Sequence, residues 1–199
     1  MKNNTKIFYH VHRKREDDSK WQVGNTIKID QNDFVNISLN FNPLVDVPDK
    51  KDVPIINAID YYQQEGLKAI GTQMYLLDKA KMYLNEYQIL IRELALEEVR
   101  KEHFNKLPNR KECIWLCRED QIEYWIKNLN AKEYIVYKIE VYNEPFRSRN
   151  LLIPKPSDSY LEMCKKAEEY WEYNEKEDNN DDEYLYYGYF KILEIMDSK

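Results

Sequence analysis

Glycine is scarce in this sequence, with four copies among 199 residues. Neither G-x-G-x-x-G nor G-x-x-x-x-G-K-[ST] occurs, which excludes a glycine-rich phosphate cradle and argues against Rossmann and P-loop architectures. Cysteine is scarce too. Three copies, an odd number with no secretory signal, point to a reducing compartment and a cytoplasmic chain. Cys113 and Cys117 stand four apart in a strand-like run, without a second Cys/His pair at zinc-site spacing. They read as small core residues, and no metal is expected. No apolar run is long enough to span a bilayer, so no membrane partner is expected.

Tyrosine, by contrast, is abundant, with 17 copies against six Phe and four Trp. Its ring packs and its hydroxyl bonds, so such residues can line grooves as well as fill a core. Hydrophobic residues at 43% fit one well-packed domain over 1–199, and 33% charged residues give a strongly solvated surface. A net charge of −6 excludes wholesale non-specific binding to nucleic acid, although Arg13-Lys14-Arg15 forms a local basic patch.

The first strand reads Ile7-Phe8-Tyr9-His10-Val11-His12, which puts His10 and His12 on one face and Tyr9 and Val11 on the other. Two of the chain's three histidines are here. They are either solvent-facing edge residues or part of a site. After a charged loop, Gly24-Asn25 turns into the alternating Thr26–Ile29. Residues 30–54 show little periodicity beyond one short element around Phe34 to Phe41. Ile56 to Phe104 is helical, with breaks expected at Gly66 and Gly71. Tyr83, Tyr87, Leu90 and Leu94, widened by Ile91, Ala95 and Val99, make a stripe expected to bury against a sheet. Glu97, Glu98, Arg100, Lys101 and Glu102 read as a solvated surface, and no coiled-coil heptad series is evident. The second half reads as a strand over Glu112–Cys117 and a helix over Asp120–Leu129 capped by Asp120. A strong strand follows over Tyr134–Tyr142, then a helix over Ser157–Tyr173 capped by Ser157 or Asp158. The acidic tract Glu175–Asp182 reads as a mobile loop, and two strands hinged at Gly188 close the chain. Strand first, helices in the middle and strands late do not alternate as βαβ units do. The expectation is α+β with a mixed or antiparallel sheet.

In this order, Tyr9-His10-Val11 resembles the opening motif of the ADP-ribosyltransferase superfamily, in its His-aromatic-Glu branch. That branch includes poly(ADP-ribose) polymerases, diphtheria-type toxins and DNA-modifying toxins. Arg92-Glu93, Glu97–Arg100, Pro108–Arg110 running into Cys113–Leu116, Tyr124-Trp125, Ala167–Trp171 and Glu183–Gly188 are similar to a bacterial and phage family of domains of unknown function associated with that superfamily. The resemblance implies an ADP-ribosyltransferase-like split sheet with a helical insertion at about 56–106. It implies NAD as substrate and transfer of ADP-ribose to a macromolecular acceptor (protein, DNA or RNA), in a toxin, defence or phage-encoded modifier. An antitoxin or other protein would be a natural partner.

Under the resemblance, His10 bonds a ribose hydroxyl, and Trp115 with Tyr124 or Trp125 takes the aromatic positions flanking nicotinamide. Glu183 is the catalytic glutamate. Tryptophan at Trp115 departs from the tyrosine more usual there, and Glu172 stands where a glycine is expected. Arg13 or Arg15, with Arg110, would supply donors to the pyrophosphate. The chemistry fits these residue types, because cleaving the nicotinamide–ribose bond develops positive charge on the sugar that a carboxylate stabilises. Two other classes compete. One is an inactive fold relative acting as a binding or inhibitory protein, favoured by the motif departures. The other is a two-histidine phosphoesterase built on His10-x-His12, which lacks a second such motif because His103 stands alone on a helix.

Overall fold

The computed structural model describes residues 5–14, 18–29, 43–47, 50–65, 70–130 and 132–198. Arg15, Gly66 and the element expected around Phe34 to Phe41 lie outside these residues. Helices and antiparallel sheets mix along the chain, the α+β class expected from the element order.

The β-rich runs form the frame. Strand β1 (Lys6–Arg13) pairs antiparallel with β6 (Tyr134–Val141), β6 with β9 (Tyr189–Ser198), and β9 with the short β2 (Thr26–Lys28). A second sheet places β8 (Asp182–Tyr186) between β5 (Ile114–Leu116) and β7 (Phe146–Arg149). The strands at Cys113–Cys117, Tyr134–Tyr142 and Glu183–Ile195 were all expected in the first strand's sheet; β6 and β9 are there, but β5 and β8 are not. Instead the two sheets meet at a single bridge, where Tyr9 and Cys117 exchange both backbone hydrogen bonds at 2.9 and 2.8 Å. Large side chains hold the sheets apart beyond that point. Phe8, Leu116, Tyr137, Tyr184, Tyr186, Phe190 and Ile192 form one buried cluster, with the Phe8 and Tyr184 rings 5.0 Å apart. Gly188, at φ +132°, turns β8 into β9 as the sequence suggested.

Helices cover the outer faces. α3 (Ile122–Leu129) lays Trp125 onto Tyr9, Val11 and Val136, with Ile122, Ile126 and Leu129 around it. It starts after a short 3-10 turn, and Asp120 pairs with Arg118 instead of capping it. α4 (Tyr160–Glu172) begins at Ser159, whose backbone N–H donates to Glu162 at 2.8 Å in a capping box; the expected caps were one and two residues early. Asp158 instead accepts from Lys166 at 2.7 Å.

α1 (Ile55–Glu65) precedes the 34-residue α2 (Ile70–His103), and Gly71 lies within α2 rather than breaking it. The sequence stripe on α2 is only partly the buried one. Leu96 and Val99 pack with Ala167, Tyr170, Trp171 and Leu185, whereas Tyr87, Ile91 and Leu94 are exposed and the supposedly solvated Arg100 is buried. The buried row passes through Glu93, Leu96 and Arg100, because pairing makes those charges tolerable inside. An unexpected hairpin, β3 (Leu44–Val47) with β4 (Lys50–Pro54), packs with Ala58 of α1 and with Leu76 and Tyr83 of α2.

The tract after α4 is held as well as acidic. Arg147 donates to the carbonyls of Glu175 and Glu177, and Gln121 donates to the Asn179 carbonyl at 2.7 Å. Asp181 and Asp182, expected as loop charges, are buried and pair with Arg149 and Arg147.

Gly188 gives a direct check on this frame. An alanine there would hold a left-handed conformation with its Cβ 3.4 Å from the Tyr186 hydroxyl. Gly188→Ala should cost about 1–2 kcal/mol, read as a lower urea midpoint.

Candidate functional site

A cleft of about 680 Å³ opens where the two sheets meet, walled by β1, β5, α2, α3 and the loop after β7. Its lining includes His10, Arg13, Arg110, Trp115, Trp125 and Glu183, residues drawn from across the chain. The β1 twist directs His10 and His12 to one face, as alternation demands, but the face is interior: both rings are buried. The solvent-facing alternative for them is therefore excluded. Trp21 stacks against His10 at a centroid distance of 5.2 Å and 19° between planes, and Tyr137 stacks on Trp21 at 5.0 Å. His10 Nδ1 lies 2.8 Å from the Trp115 carbonyl oxygen. A carbonyl only accepts, so Nδ1 carries the hydrogen of this bond. His12 Nε2 meets Asp18 at 2.7 Å.

Glu183 enters this wall through β8. Its neighbour Asp182 is fixed on all sides: the carboxylate takes Arg147, Tyr173 and the Asn179 amide, and the carbonyl takes Gln121 and Trp125 at 3.3 Å each. Tyr184 and Tyr186 point between the sheets, so Glu183 and Leu185 point the other way, towards α2 and α4. There Glu183 Oε1 accepts from Arg110 Nη1 and from the Tyr170 hydroxyl. Arg110 Nε reaches Glu93 at 3.1 Å, and Arg92 bonds Glu93 from the outside at 3.1 Å. The Arg110 guanidinium lies 5.0 Å from the Tyr170 ring centroid and 5.7 Å from that of Trp115.

Electrostatics follow from this packing. Burial opposes charge on Glu93, but Arg110 and Arg92 outweigh it and hold the carboxyl below its usual range. Burial likewise works against the Arg110 cation, and Glu183, Tyr170 and Glu93 more than restore it, so it stays charged. Burial pushes the Tyr170 phenol well up, which keeps it a hydroxyl donor to Glu183. Burial also pushes the Cys113 and Cys117 thiols up to about 12, which makes them poor nucleophiles. Among the described residues, no cluster of His, Cys, Asp or Glu is placed to hold a metal ion, and no helix is long and apolar enough to cross a membrane.

Of the other expected site residues, Tyr124 falls outside the cleft wall and Arg13 is part of it. Tyr124 stands beyond Trp125, edge-on to it at 5.3 Å, and accepts from Asn150, which does line the cleft. Arg13 sits at the mouth, where its Nη2 donates to the Leu129 carbonyl at the end of α3, at 2.7 Å. Sequence reasoning missed Glu93 and Tyr170 as members of the site. Tyr170 sits in the Ala167–Trp171 run and Glu93 in the Arg92-Glu93 pair already singled out, so the signal was the motif pieces, not their roles.

A family model described as "Protein of unknown function (DUF2441)" matches residues 8–198. The chain belongs to this family. The match runs from Phe8, beside the first cleft histidine, through Ser198 of β9, and so takes in both sheets and every described cleft residue. No curated protein matches the chain.

The Glu93–Arg110 pair can be checked by pH. Glu93 is more acidic folded than unfolded, so its contribution is fully present above about pH 4.3 and is lost as pH falls through the folded value. Glu93→Gln should lower stability at neutral pH by roughly 3–5 kcal/mol. Its urea midpoint should also fall less steeply than that of the unsubstituted chain below pH 5, roughly where carboxylates begin to titrate.

Proposed function

We propose that the chain is a NAD-dependent ADP-ribosyltransferase acting on a macromolecular acceptor, in an ADP-ribosyltransferase-like split-sheet fold. The observation that carries the reading is the convergence, in one cleft, of His10, Trp115, Trp125 and Glu183. These residues come from the start, middle and end of the chain. The cleft volume suits a dinucleotide-sized ligand, since small-molecule sites span roughly 300–1,000 Å³.

In this reading His10, its Nδ1 hydrogen fixed on the Trp115 carbonyl, forms the ribose side of the cleft. Trp115 and Trp125 offer flat apolar surface to nicotinamide. Arg110 and Tyr170 both engage Glu183 Oε1, so Oε2 is the oxygen turned to the ribose as positive charge develops there. The carboxylate is held in place before substrate arrives, so little reorganisation is needed at the moment of bond cleavage. Nicotinamide leaves with the electron pair of its bond to ribose, and an acceptor nucleophile takes the anomeric carbon and loses its proton. Arg110 holds Glu183 in this scheme, while Arg13, with Arg15 beside it in sequence, and Lys155 at the cleft are the cations for the pyrophosphate. The other glutamate on the late strands, Glu194, is exposed on β9 and 3.8 Å from Lys138, and it does not line the cleft.

The same network favours a second reading. Glu183 is buried and already satisfied by two strong donors, as a structural carboxylate would be, and an inactive relative binding a ligand or protein would keep that arrangement. Nicotinamide release from NAD by the purified chain separates the two. Activity should be present and fall roughly 10²- to 10³-fold in Glu183→Gln, the usual loss for one preorganised electrostatic group. NAD affinity should change little, and Glu194→Gln should behave as the unsubstituted chain. NAD binding should also quench tryptophan fluorescence through Trp115 and Trp125. A chain that neither binds nor cleaves millimolar NAD returns the cleft to the binding-protein reading.

A further inference from the structure

The outer side of α2 carries a pattern that neither the cleft nor the core uses. Leu77, Ala80, Leu84, Tyr87, Ile91 and Leu94 follow one another at spacings of 3, 4, 3, 4 and 3, the a/d seam of a coiled coil. The run is shorter than the three to four heptads by which such a seam is usually recognised in sequence. In the fold its exposure identifies it: Leu77 is 65% exposed, Leu84 63%, Tyr87 42%, Ile91 41% and Leu94 43%. Glu93, Leu96 and Arg100, which bind the C-terminal half of α2 to the protein, lie on the opposite side of the helix, while Leu76 and Tyr83, packed with the β3–β4 hairpin, border the seam at its start. The cleft residues Glu86, Ile89 and Arg92 are likewise off the seam.

We propose that this seam is the contact through which two copies of the chain associate, with the two α2 helices antiparallel. The pattern is self-complementary in that sense. Antiparallel coiled coils oppose a positions to d positions. A two-fold axis at residue 89 sets Leu84 against the partner copy's position 94 and Tyr87 against its position 91, apolar to apolar in the four central layers, and leaves Leu77 and Ala80 to the outer layers, opposite positions 101 and 98.

Charge selects the same orientation. Around the first turns of the seam Lys79 and Lys81 outnumber Asp78, and just beyond its end Glu98 and Glu102 outnumber Lys101. Antiparallel pairing brings the net positive end onto the net negative end, whereas parallel pairing sets like on like. The five large side chains expose roughly 500 Å² per copy, so the seam buries at most about 1,000 Å² in a pair, the size of a weak, concentration-dependent contact. Met82, 44% exposed beside the seam, and Leu161, 75% exposed on α4, are available to extend it.

The test is the mass of the full chain in solution, by light scattering on a sizing column and by sedimentation across the micromolar range. A mass twice that of the chain is expected. Leu84→Glu combined with Ile91→Glu should return it to the monomer mass, with an unchanged circular dichroism spectrum. Orientation is read separately from a spin label at Leu77→Cys, in a Cys164→Ala background. Antiparallel pairing about residue 89 puts the two label sites roughly 36 Å apart along the helix axis, at 1.5 Å per residue. Parallel pairing leaves them within one helix spacing, about 10 Å. A monomer at every concentration, a dimer that survives both glutamates in a folded chain, or the short label distance would each overturn the proposal. None of these readouts depends on NAD, so they stand or fall apart from the enzymatic reading.

Discussion

Everything at the cleft depends on one buried guanidinium. Arg110 sits between Glu93 of the long helix and Glu183 of the second sheet, with the Tyr170 hydroxyl bridging to the same carboxylate oxygen. Moving a single cation of this kind out of water costs several kcal/mol, and moving two carboxylates with it costs more. The arrangement is tolerable only because each charge finds an opposite one and the aromatic faces of Trp115 and Tyr170 cover the cation. The group therefore specifies geometry more than it supplies stability. α2, α4, the short turn at 110–112 and β8 can meet in only one way if no charge is to be stranded.

That constraint explains the architecture around it. The cleft exists because the two sheets share one bridge and then diverge around Phe8, Tyr184 and Phe190. The divergence leaves a wedge between β1 and β5, and His10 looks into it. Arg110 fastens the helical side of the wedge to the strand that carries Glu183. A polar floor thus lies beneath aromatic walls.

Much of this frame was legible in the residues. The runs at Ile7–His12, Tyr134–Tyr142 and Glu183–Ile195 are dense in β-branched and aromatic side chains; the first two hold β1 and β6, and the third holds β8 and most of β9. Gly188 separates β8 from β9 because no other residue takes its backbone angle easily. Other features were beyond reach. The β4 half of the β3–β4 hairpin, Lys50-Lys51-Asp52-Val53-Pro54, is written in residues that local preference assigns to loops, and pairing with β3 and contacts with α1 and α2 override it. The long helix has two apolar rows, and periodicity finds a row without saying which one faces inward. The Arg110 network was invisible for a different reason. Its partners lie 17, 60 and 73 positions away, so no local window contains it, and charged residues are assigned to the surface until their partners are known.

The three consecutive acids at the start of β8 show what this does to assembly. Asp181, Asp182 and Glu183 are all buried, and each is neutralised by a different arginine: Arg149, Arg147 and Arg110. All three arginines are made earlier in the chain, on parts of the fold that precede the strand. Before they are in position, three adjacent negative charges repel one another and keep the segment in water. Once they are, the segment loses that repulsion all at once. β8 can therefore occupy its place between β5 and β7 only together with those three arginines, because without them three adjacent charges would be buried without partners.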